Sequence, residues 1–389
     1  MRRAGRFGMH LLLLVGFSLV AGPASAAQLA PRETRILWER RGWDPGSRSG
    51  GEVQETLLRA RHAFAWGERL EAGLEISDAR ATRSGVHVGP GVRGALLLRL
   101  RAGSGWLLQA GAGTPAGIGR LGARSREVAA LVGDPLFAFT EPEIACGWRV
   151  HCGAVHGIAL SHSMTLALGI GVDLLPAYEA GFGLSLDPAD RLAASAALHL
   201  RRPGANAQIR LSGFLEGDEE LEGAPIRRSR ELLAVDFGIV LAEGPVRGAL
   251  QAGLATSSEV SSPDPATYGA WLLEGPGLLA QFGLQVRPAG RWSLGRGIAG
   301  QPSLDLLWRR ALPQGLPAGG GWAVTILPRF SLFRGAGELA ISGGWGSGHW
   351  SAWEATGRRP QTGVDGWIVR GEIVWRWDLG RETQQATEA

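Results

Sequence analysis

The chain has 389 residues, 60 of them glycine, and a formal net charge of +4. A mean hydropathy of +0.02 argues against a helical membrane protein, because no stretch after the N-terminal segment approaches the ~20 continuous apolar residues that a spanning helix needs. The pI of about 9.9 rests on arginine alone, since the chain contains no lysine. No basic block carries interleaved aromatic residues, so we expect no nucleic-acid partner.

Residues 1–26 have the three parts of a cleaved signal peptide. A basic start precedes an apolar centre at 10–20, and Ala24-Ser25-Ala26 forms a small-x-small cleavage site. The apolar centre is too short for a membrane-spanning helix. We therefore expect export, with a mature chain that begins near residue 27.

Residues 27–51 contain prolines and glycines and lack sustained alternation, so we expect a periplasmic lead or a short plug. From Val53 the chain becomes a series of period-two segments. The first places Leu58 and Trp66 on one face and Arg59 and Arg61 on the other. The next segments are 70–77, 86–101 and 106–112, and in the second of these Val86, Val88, Val92, Leu96, Leu98 and Leu100 are predicted to share a face.

A long connector from 114 to about 154 contains both cysteines of the chain, Cys146 and Cys152. In an exported protein this spacing favours a disulfide that closes a small loop. His151 and His156 lie nearby, and a metal site is the alternative interpretation, although nothing else in the sequence supports zinc.

Alternation resumes after this connector and continues to the C-terminus. The last segment has Trp367, Val369, Ile373, Trp375 and Trp377 on one face, with charged residues on the other. Such a strand suits a wall between lipid and water. The other predicted segments are 166–172, 182–186, 192–200, 209–215, 233–241, 246–254, 304–308, 322–332 and 337–345, and tryptophans at the segment ends are Trp66, Trp106, Trp308, Trp322, Trp375 and Trp377.

The signal peptide, the alternating strands and the aromatic C-terminal strand resemble bacterial outer-membrane β-barrel proteins as a class. The resemblance covers most residues from 53 to 379 and identifies no subfamily. It implies an all-β, transmembrane, antiparallel up-and-down barrel of about 14–16 strands over 52–380, with a polar tail at 381–389. It also implies location in the bacterial outer membrane, contact with its lipid and insertion by the barrel-assembly machinery. A large secreted β-sandwich or β-helix is the alternative.

Connector lengths give an internal check, because outer-membrane barrels have short periplasmic turns and longer outer loops. Long and short connectors mostly alternate, but the cysteine-containing connector falls on the wrong side. Either one strand between 155 and 205 is miscounted, or residues 34–41 contribute a first strand.

Charged side chains on the opposite faces are predicted to line the lumen, complementing one another between neighbouring strands. At closure, the last strand is expected to bring Glu372 and Asp378 towards Arg59 and Arg61. The simplest interpretation is a salt-bridged, water-lined wall, and a selective ladder for anions or sugars is the alternative. The lumen candidates are Arg59, Arg61, Glu71, Glu75, Arg93, Arg99, Arg210, Arg370 and Glu372.

The predicted function is a passive, porin-like pore or transporter for small polar solutes, saccharides included. A non-conducting structural or surface-interaction barrel is the alternative, and a lipid-modifying enzyme comes third. The best catalytic candidate is Ser161-His162-Ser163, but on a strand His162 would point away from both serines. We therefore expect no enzyme activity, no catalytic residues, no metal and no cofactor. Tryptophans near 345–353 could contact carbohydrate or anchor the chain at an interface.

Overall fold

A computed structural model describes residues 32–44, 51–67, 69–114, 128, 147–179, 185–221, 223–227, 230–241, 243, 246–257, 278–312, 320–351, 353–354, 357–358 and 362–377. The predicted signal peptide, the polar tail and Cys146 lie outside these residues. Among them, no helix has the length and apolar character to cross a membrane.

The described residues form a closed antiparallel barrel of sixteen strands, in agreement with the sequence. Each strand pairs with its neighbours in the chain, and β1 closes the barrel by pairing with β16 from Glu33 opposite Arg376 to Asp44 opposite Asp365. The strands are β1 (Glu33–Asp44), β2 (Val53–Trp66), β3 (Leu70–Arg83), β4 (Val86–Ala102), β5 (Trp106–Gly113), β6 (Arg149–Ala159), β7 (Met164–Leu174), β8 (Arg191–Arg202), β9 (Ala205–Glu216), β10 (Arg230–Leu241), β11 (Val246–Ser257), β12 (Leu278–Pro288), β13 (Ile298–Leu312), β14 (Gly320–Arg334), β15 (Gly337–Ser351) and β16 (Thr362–Arg376).

The period of two explains why these segments are strands with two different faces. On β2, Leu58 and Trp66 point outward and are more than half exposed, whereas Leu57, at 0% exposed, and Glu55 point inward. The same holds around the barrel: large apolar side chains that are exposed on its strands point outward, with the exception of Val240. The outer surface is therefore a continuous apolar belt.

The connectors divide the barrel into two different ends. At the turn end, which also holds the start of β1 and the end of β16, the connectors are 67–69, 103–105, 160–163, 203–204, 242–245, 289–297 and 335–336. At the loop end they are 45–52, 84–85, 114–148, 175–190, 217–229, 258–277, 313–319 and 352–361. The 114–148 connector, which contains Cys146, lies at the same end as the other long connectors. The sequence pattern had placed it at the end with the short turns, and the structure removes this disagreement.

One of the two proposed explanations is correct, because residues 34–41 belong to a first strand. Residues 33–44 form β1, so about half of the segment predicted as a lead or plug is a barrel strand. Residues 149–159 form β6, which begins inside the predicted connector and offsets the wrongly predicted segment at 182–186, so the number of strands in that region was correct. The sequence also missed β12, at 278–288. The segment predicted at 182–186 is no barrel strand: 180–184 lie outside the described residues and Ser185–Asp187 is a short strand of another sheet.

One predicted face is wrong within β4. Val86 and Val88 point inward and Val88 is buried, whereas Val92 points outward and is 67% exposed. The pairing of β3 with β4 shifts register between Ala79 and Ala81. Because an irregularity of one residue moves the following side chains to the opposite face, strict alternation across it fails.

Two small sheets stand at the loop end. The first joins Tyr178–Glu179, Ser185–Asp187, Glu219–Leu221 and Ala224–Arg227, from the two connectors that flank β8 and β9. The second pairs Trp353–Glu354 with Gly357–Arg358 between β15 and β16. Both enlarge the loop end.

Candidate functional site

The inward face of the barrel carries the charge. All nine lumen candidates from the sequence lie at inward positions of β2, β3, β4, β9 and β16. Their surroundings differ, since Arg61 is exposed to the interior while Glu71 and Glu372 are buried against the wall.

A ladder of opposite charges crosses β2, β3 and β4. Arg59 lies 3.3 Å from Glu75, and Arg99 lies 3.5 Å from Glu71. The side chains of Arg59 and Glu75 remain 25% and 35% exposed, so water screens this pair and its contribution to stability is below ~1 kcal/mol. On the opposite wall Arg210 and Asp236 are direct cross-strand partners on β9 and β10.

The pairing of β1 with β16, which we name the closure seam, contains a buried charge cluster. Glu39 is 1% exposed and accepts hydrogen bonds from Nε of Arg41 at 2.9 Å and Nε of Arg370 at 2.7 Å. Glu39 and Arg370 stand directly opposite each other in the register. Because a buried carboxylate is tolerated when it is paired and hydrogen-bonded, this cluster ties the first strand to the last.

The predicted approach of Glu372 to Arg59 and Arg61 is wrong. β1 lies between β16 and β2, so the carboxylate of Glu372 contacts Arg35 at 3.2 Å and Arg329 at 2.7 Å instead. Asp378, for which the same approach was predicted, lies outside the described residues. The error follows directly from the missed first strand.

A second cluster, which we name the turn-end network, surrounds Glu372. Arg329 donates through Nε to Ser331 at 3.3 Å and through Nη2 to Glu338 at 3.0 Å, while its Nη1 faces Glu372. Glu338 also faces Arg376 at 3.4 Å. These groups line a polar cavity of about 400 Å³ on the inner wall formed by β12 to β16 and β1.

At the loop end, Asp173 on β7 organises three side chains of neighbouring strands. Its carboxylate accepts from Arg149 at 2.6 Å and from Nδ1 of His151 at 2.7 Å. Nε2 of His151 lies 2.9 Å from the amide nitrogen of Gln109, which donates to it when Nδ1 carries the proton. Both ring nitrogens therefore have partners, and the group links β5, β6 and β7 along the inner wall.

An apolar cluster fills part of the interior at the loop end. Val128, a residue of the 114–148 connector, is 2% exposed and packs within it. The other members are inward side chains from nine adjacent strands, β12 to β16 and β1 to β4: Leu279, Ala311, Ala323, Trp350, Val364, Trp43, Val53, Ala81 and Val88. The connector thus reaches into the mouth of the barrel at this point.

Trp43, a member of that cluster, packs against the backbone of the two preceding strands in the barrel, β15 and β16. An added Cβ would lie 2.4 Å from its ring at Gly346 and 2.5 Å at Gly366. The indole therefore lies flat over the backbones of β15 and β16, where glycine alone leaves room. Trp350, one of the tryptophans considered for carbohydrate contact, belongs to the same cluster, whereas Trp345 points outward.

The serine and histidine considered for catalysis lie in a tight turn at the turn end. Ser161 Oγ and Ser163 Oγ are 3.3 Å apart and bond to each other, and His162 is exposed. Asp305 accepts a hydrogen bond from Gln285 at 2.8 Å and so serves the inner wall. Within the ranges that the structure covers, no group of three potential metal ligands comes together.

The predicted disulfide is not supported. Among the described residues Cys152 has no disulfide partner, and it lies at an outward position of β6, not in a connector. Its expected partner, Cys146, lies outside the described residues, so the pairing stays a prediction.

The sequence missed Arg35 and Glu39 on β1, Arg287 on β12, and Arg329 and Glu338 on β14 and β15. A signal existed for β1, because Thr34, Ile36 and Trp38 alternate with Glu33, Arg35 and Glu39. The proline and glycine residues that flank this segment hid it. Arg329 and Glu338 belong to one hairpin, so a local signal for their contact existed, whereas the contacts of Arg35 and Glu39 join strands at opposite ends of the chain.

No family model matches this sequence, and no curated protein matches it. Among solved structures, "Bacterial polysaccharide outer membrane secretin" is 7% identical, with a TM-score of 0.45 over 90% of this chain and 100% of that one. Pseudomonas aeruginosa OccK1 (OpdK) is 12% identical, with a TM-score of 0.45 over 89% of this chain and 98% of that one. Pseudomonas aeruginosa OccK2 (OpdF), solved in complex with glucuronate, is 13% identical, with a TM-score of 0.44 over 89% and 98%.

With its closed antiparallel barrel, the chain resembles bacterial outer-membrane β-barrels at the class level, as the sequence predicted. No subfamily follows, and the function has to be argued from the chain's own residues.

Proposed function

We propose that this chain is a bacterial outer-membrane barrel that passes small polar solutes through a charged interior. The observation that carries the proposal is the opposition of the two faces: the outside is a belt of exposed Leu, Ile, Val and Trp, and the inside is lined by Arg and Glu. A water-soluble protein rarely exposes so large a contiguous apolar surface.

The dimensions of the belt support a membrane crossing. On β4 the outward side chains are apolar from Val92 to Leu100. Nine residues extend roughly 27 Å along a strand, or roughly 21 Å along the barrel axis at a tilt of about 40°, close to the apolar band of known outer-membrane barrels. Outward tryptophans stand at its turn-end edge, at Trp66, Trp106 and Trp375. These positions favour anchoring at a membrane–water interface.

The difference between the turn end and the loop end indicates how the barrel is oriented in the membrane. Bacterial barrels place short turns and both termini on the periplasmic side and longer loops outside. We therefore assign the turn end to the periplasm and the loop end to the exterior. Insertion by the barrel-assembly machinery and contact with outer-membrane lipid belong to the same proposal.

Single-channel recording tests the proposal. The mature chain, refolded and added to a planar lipid bilayer, is expected to give discrete current steps in potassium chloride. Absence of steps from a correctly folded barrel that has inserted into the bilayer would overturn the pore assignment.

A non-conducting barrel is the second candidate, and the apolar cluster around Val128 favours it. Val128 of the 114–148 connector lies in the same apolar cluster as inward side chains of nine strands, and it narrows the loop-end mouth at this point. Placing a charge there by Val128→Asp should detach this contact, because an unpaired buried carboxylate is costly. If the cluster closes the pore, the variant conducts and the parent does not; if it only narrows the pore, both conduct and the variant gives larger steps.

A further inference from the structure

The cavity at the turn end has more positive than negative side chains around it. Five of its lining residues are arginines, Arg35, Arg287, Arg291, Arg329 and Arg376, and two are glutamates. Its volume of about 400 Å³ lies within the range of small-molecule sites. The cavity is thus large enough for a solute and is lined mainly by hydrogen-bond donors.

Three of these arginines are held by carboxylates. Arg329 contacts Glu338 and Glu372, as described above. Arg35 contacts Glu372 at 3.2 Å and Glu33 at 2.9 Å. Arg376 contacts Glu33 and Glu338, each at 3.4 Å. Three glutamates therefore neutralise three arginines and fix their positions on the wall.

Arg287 and Arg291 have no such partner. Within the described part of the chain, no carboxylate lies within ion-pair distance of either guanidinium, and both side chains are exposed to the interior. Asp305, on the strand beside Arg287, instead accepts the hydrogen bond from Gln285. The guanidinium of Arg291 lies 3.6 Å from the centroid of the Phe333 ring, which fixes it by a cation–π contact and leaves its N–H groups unused.

Arg247 adds to this excess of charge. It stands directly opposite Arg287 in the register of β11 and β12, and both residues are exposed and inward-facing. Like charges directly opposite on paired strands destabilise a sheet. An anion placed between them would remove that repulsion, since planar guanidinium groups bind carboxylate and phosphate in bidentate geometry.

We infer that the turn-end cavity binds a small anion bearing a carboxylate or phosphate group, with Arg287 and Arg291, which line the cavity, as its direct contacts and Arg247 as the neighbouring positive charge beside Arg287. This inference rests on the proposed function, because the solute reaches the cavity through the barrel interior. The arginines held by Glu33, Glu338 and Glu372 form the fixed back wall of the site. Anions that enter the pore are thereby concentrated at its periplasmic end.

Phosphorus NMR of the folded barrel in detergent tests binding without requiring conduction. Inorganic phosphate is expected to show line broadening that rises with protein concentration, and acetate should compete for the same site and narrow the line. Each charged hydrogen-bonding partner lost weakens binding by about tenfold or more, so Arg287→Gln combined with Arg291→Gln should abolish the broadening. The matched control is Arg202→Gln combined with Arg334→Gln, which removes two exposed arginines from outward positions at the same end.

Equal broadening with parent, double variant and control would overturn the inference, as would absence of broadening with the parent. A reversal potential in a potassium chloride gradient provides the second readout: preference for chloride should fall in the Arg287/Arg291 variant and persist in the control. If the Arg287/Arg291 variant gives current steps with the anion preference of the parent, the pore is supported and the anion site is refuted. If the parent binds phosphate but gives no current steps, the pore is refuted and the anion site is supported.

Discussion

Replacing Glu39 by glutamine tests the role of the closure seam. The substitution keeps the shape of the side chain and removes the negative charge that both Arg41 and Arg370 contact. Both guanidinium groups would then face a neutral amide in a site where Glu39 itself is 1% exposed. Breaking a buried ion pair typically costs 3–5 kcal/mol, and the 26% exposure of Arg370 lets water recover part of this.

We expect Glu39→Gln to lower the free energy of unfolding by about 2–4 kcal/mol. Urea titration in detergent, followed by tryptophan fluorescence, measures it. Adding Arg370→Gln should recover part of the loss, because it removes the guanidinium group that has lost its charged partner. The control is Asp78→Asn, which breaks an outward pair whose Arg80 is 73% exposed and should cost less than about 0.5 kcal/mol. If the Glu39→Gln barrel is as stable as the Asp78→Asn barrel, Glu39 does not stabilise the closure seam.

Two further predictions concern packing and polar structure. Gly346→Val should destabilise the barrel by about 1–3 kcal/mol, because its side chain would overlap the Trp43 ring. Gly343→Val, at a position with open space around an added Cβ, should leave the unfolding midpoint nearly unchanged, and equal losses in the two variants would contradict the contact. Asp173→Asn should cost about 1–3 kcal/mol in the same titration, since it leaves the part-buried Arg149 without its charge partner, and Asp305→Asn, whose amide oxygen can still accept the hydrogen bond from Gln285, should cost less. The reverse order would contradict the arrangement of the loop-end wall.

Strand identity was predicted for most segments in which the alternation ran without interruption, although β12, which has Phe282, Leu284 and Val286 on one face, was overlooked. On β16 the outward set from Trp367 to Trp375 and the inward Arg370 and Glu372 are placed as the period of two dictates. The alternation failed where backbone irregularity intervened, as at the shift in register between β3 and β4. It was also overlooked on β1, because the glycines and prolines around a short segment resemble those of a linker.

The inward clusters were only partly predictable. The pairs Arg59 with Glu75 and Arg99 with Glu71 follow from neighbouring hairpins, where the register can be read from the turn. The contacts of Glu39 with Arg370 and of Trp43 with Gly346 join residues about 300 positions apart in the chain. They depend on which strand closes the barrel, and one missed strand changes every such pair.

In the proposed arrangement, hydrocarbon covers the outward face of the barrel while water fills the interior. Cys152 offers a natural reporter, since it points outward on β6 and lies four residues from His156, which packs against Trp106 at the turn-end edge of the belt. With Cys146 replaced by serine, a spin label on Cys152 in the lipid-reconstituted barrel should be relaxed by oxygen and shielded from a water-soluble nickel complex. A label on Val155→Cys, inward on the same strand in a background without other cysteines, should show the opposite preference. Equal access of the nickel complex to both labels would contradict this arrangement of lipid outside and water inside.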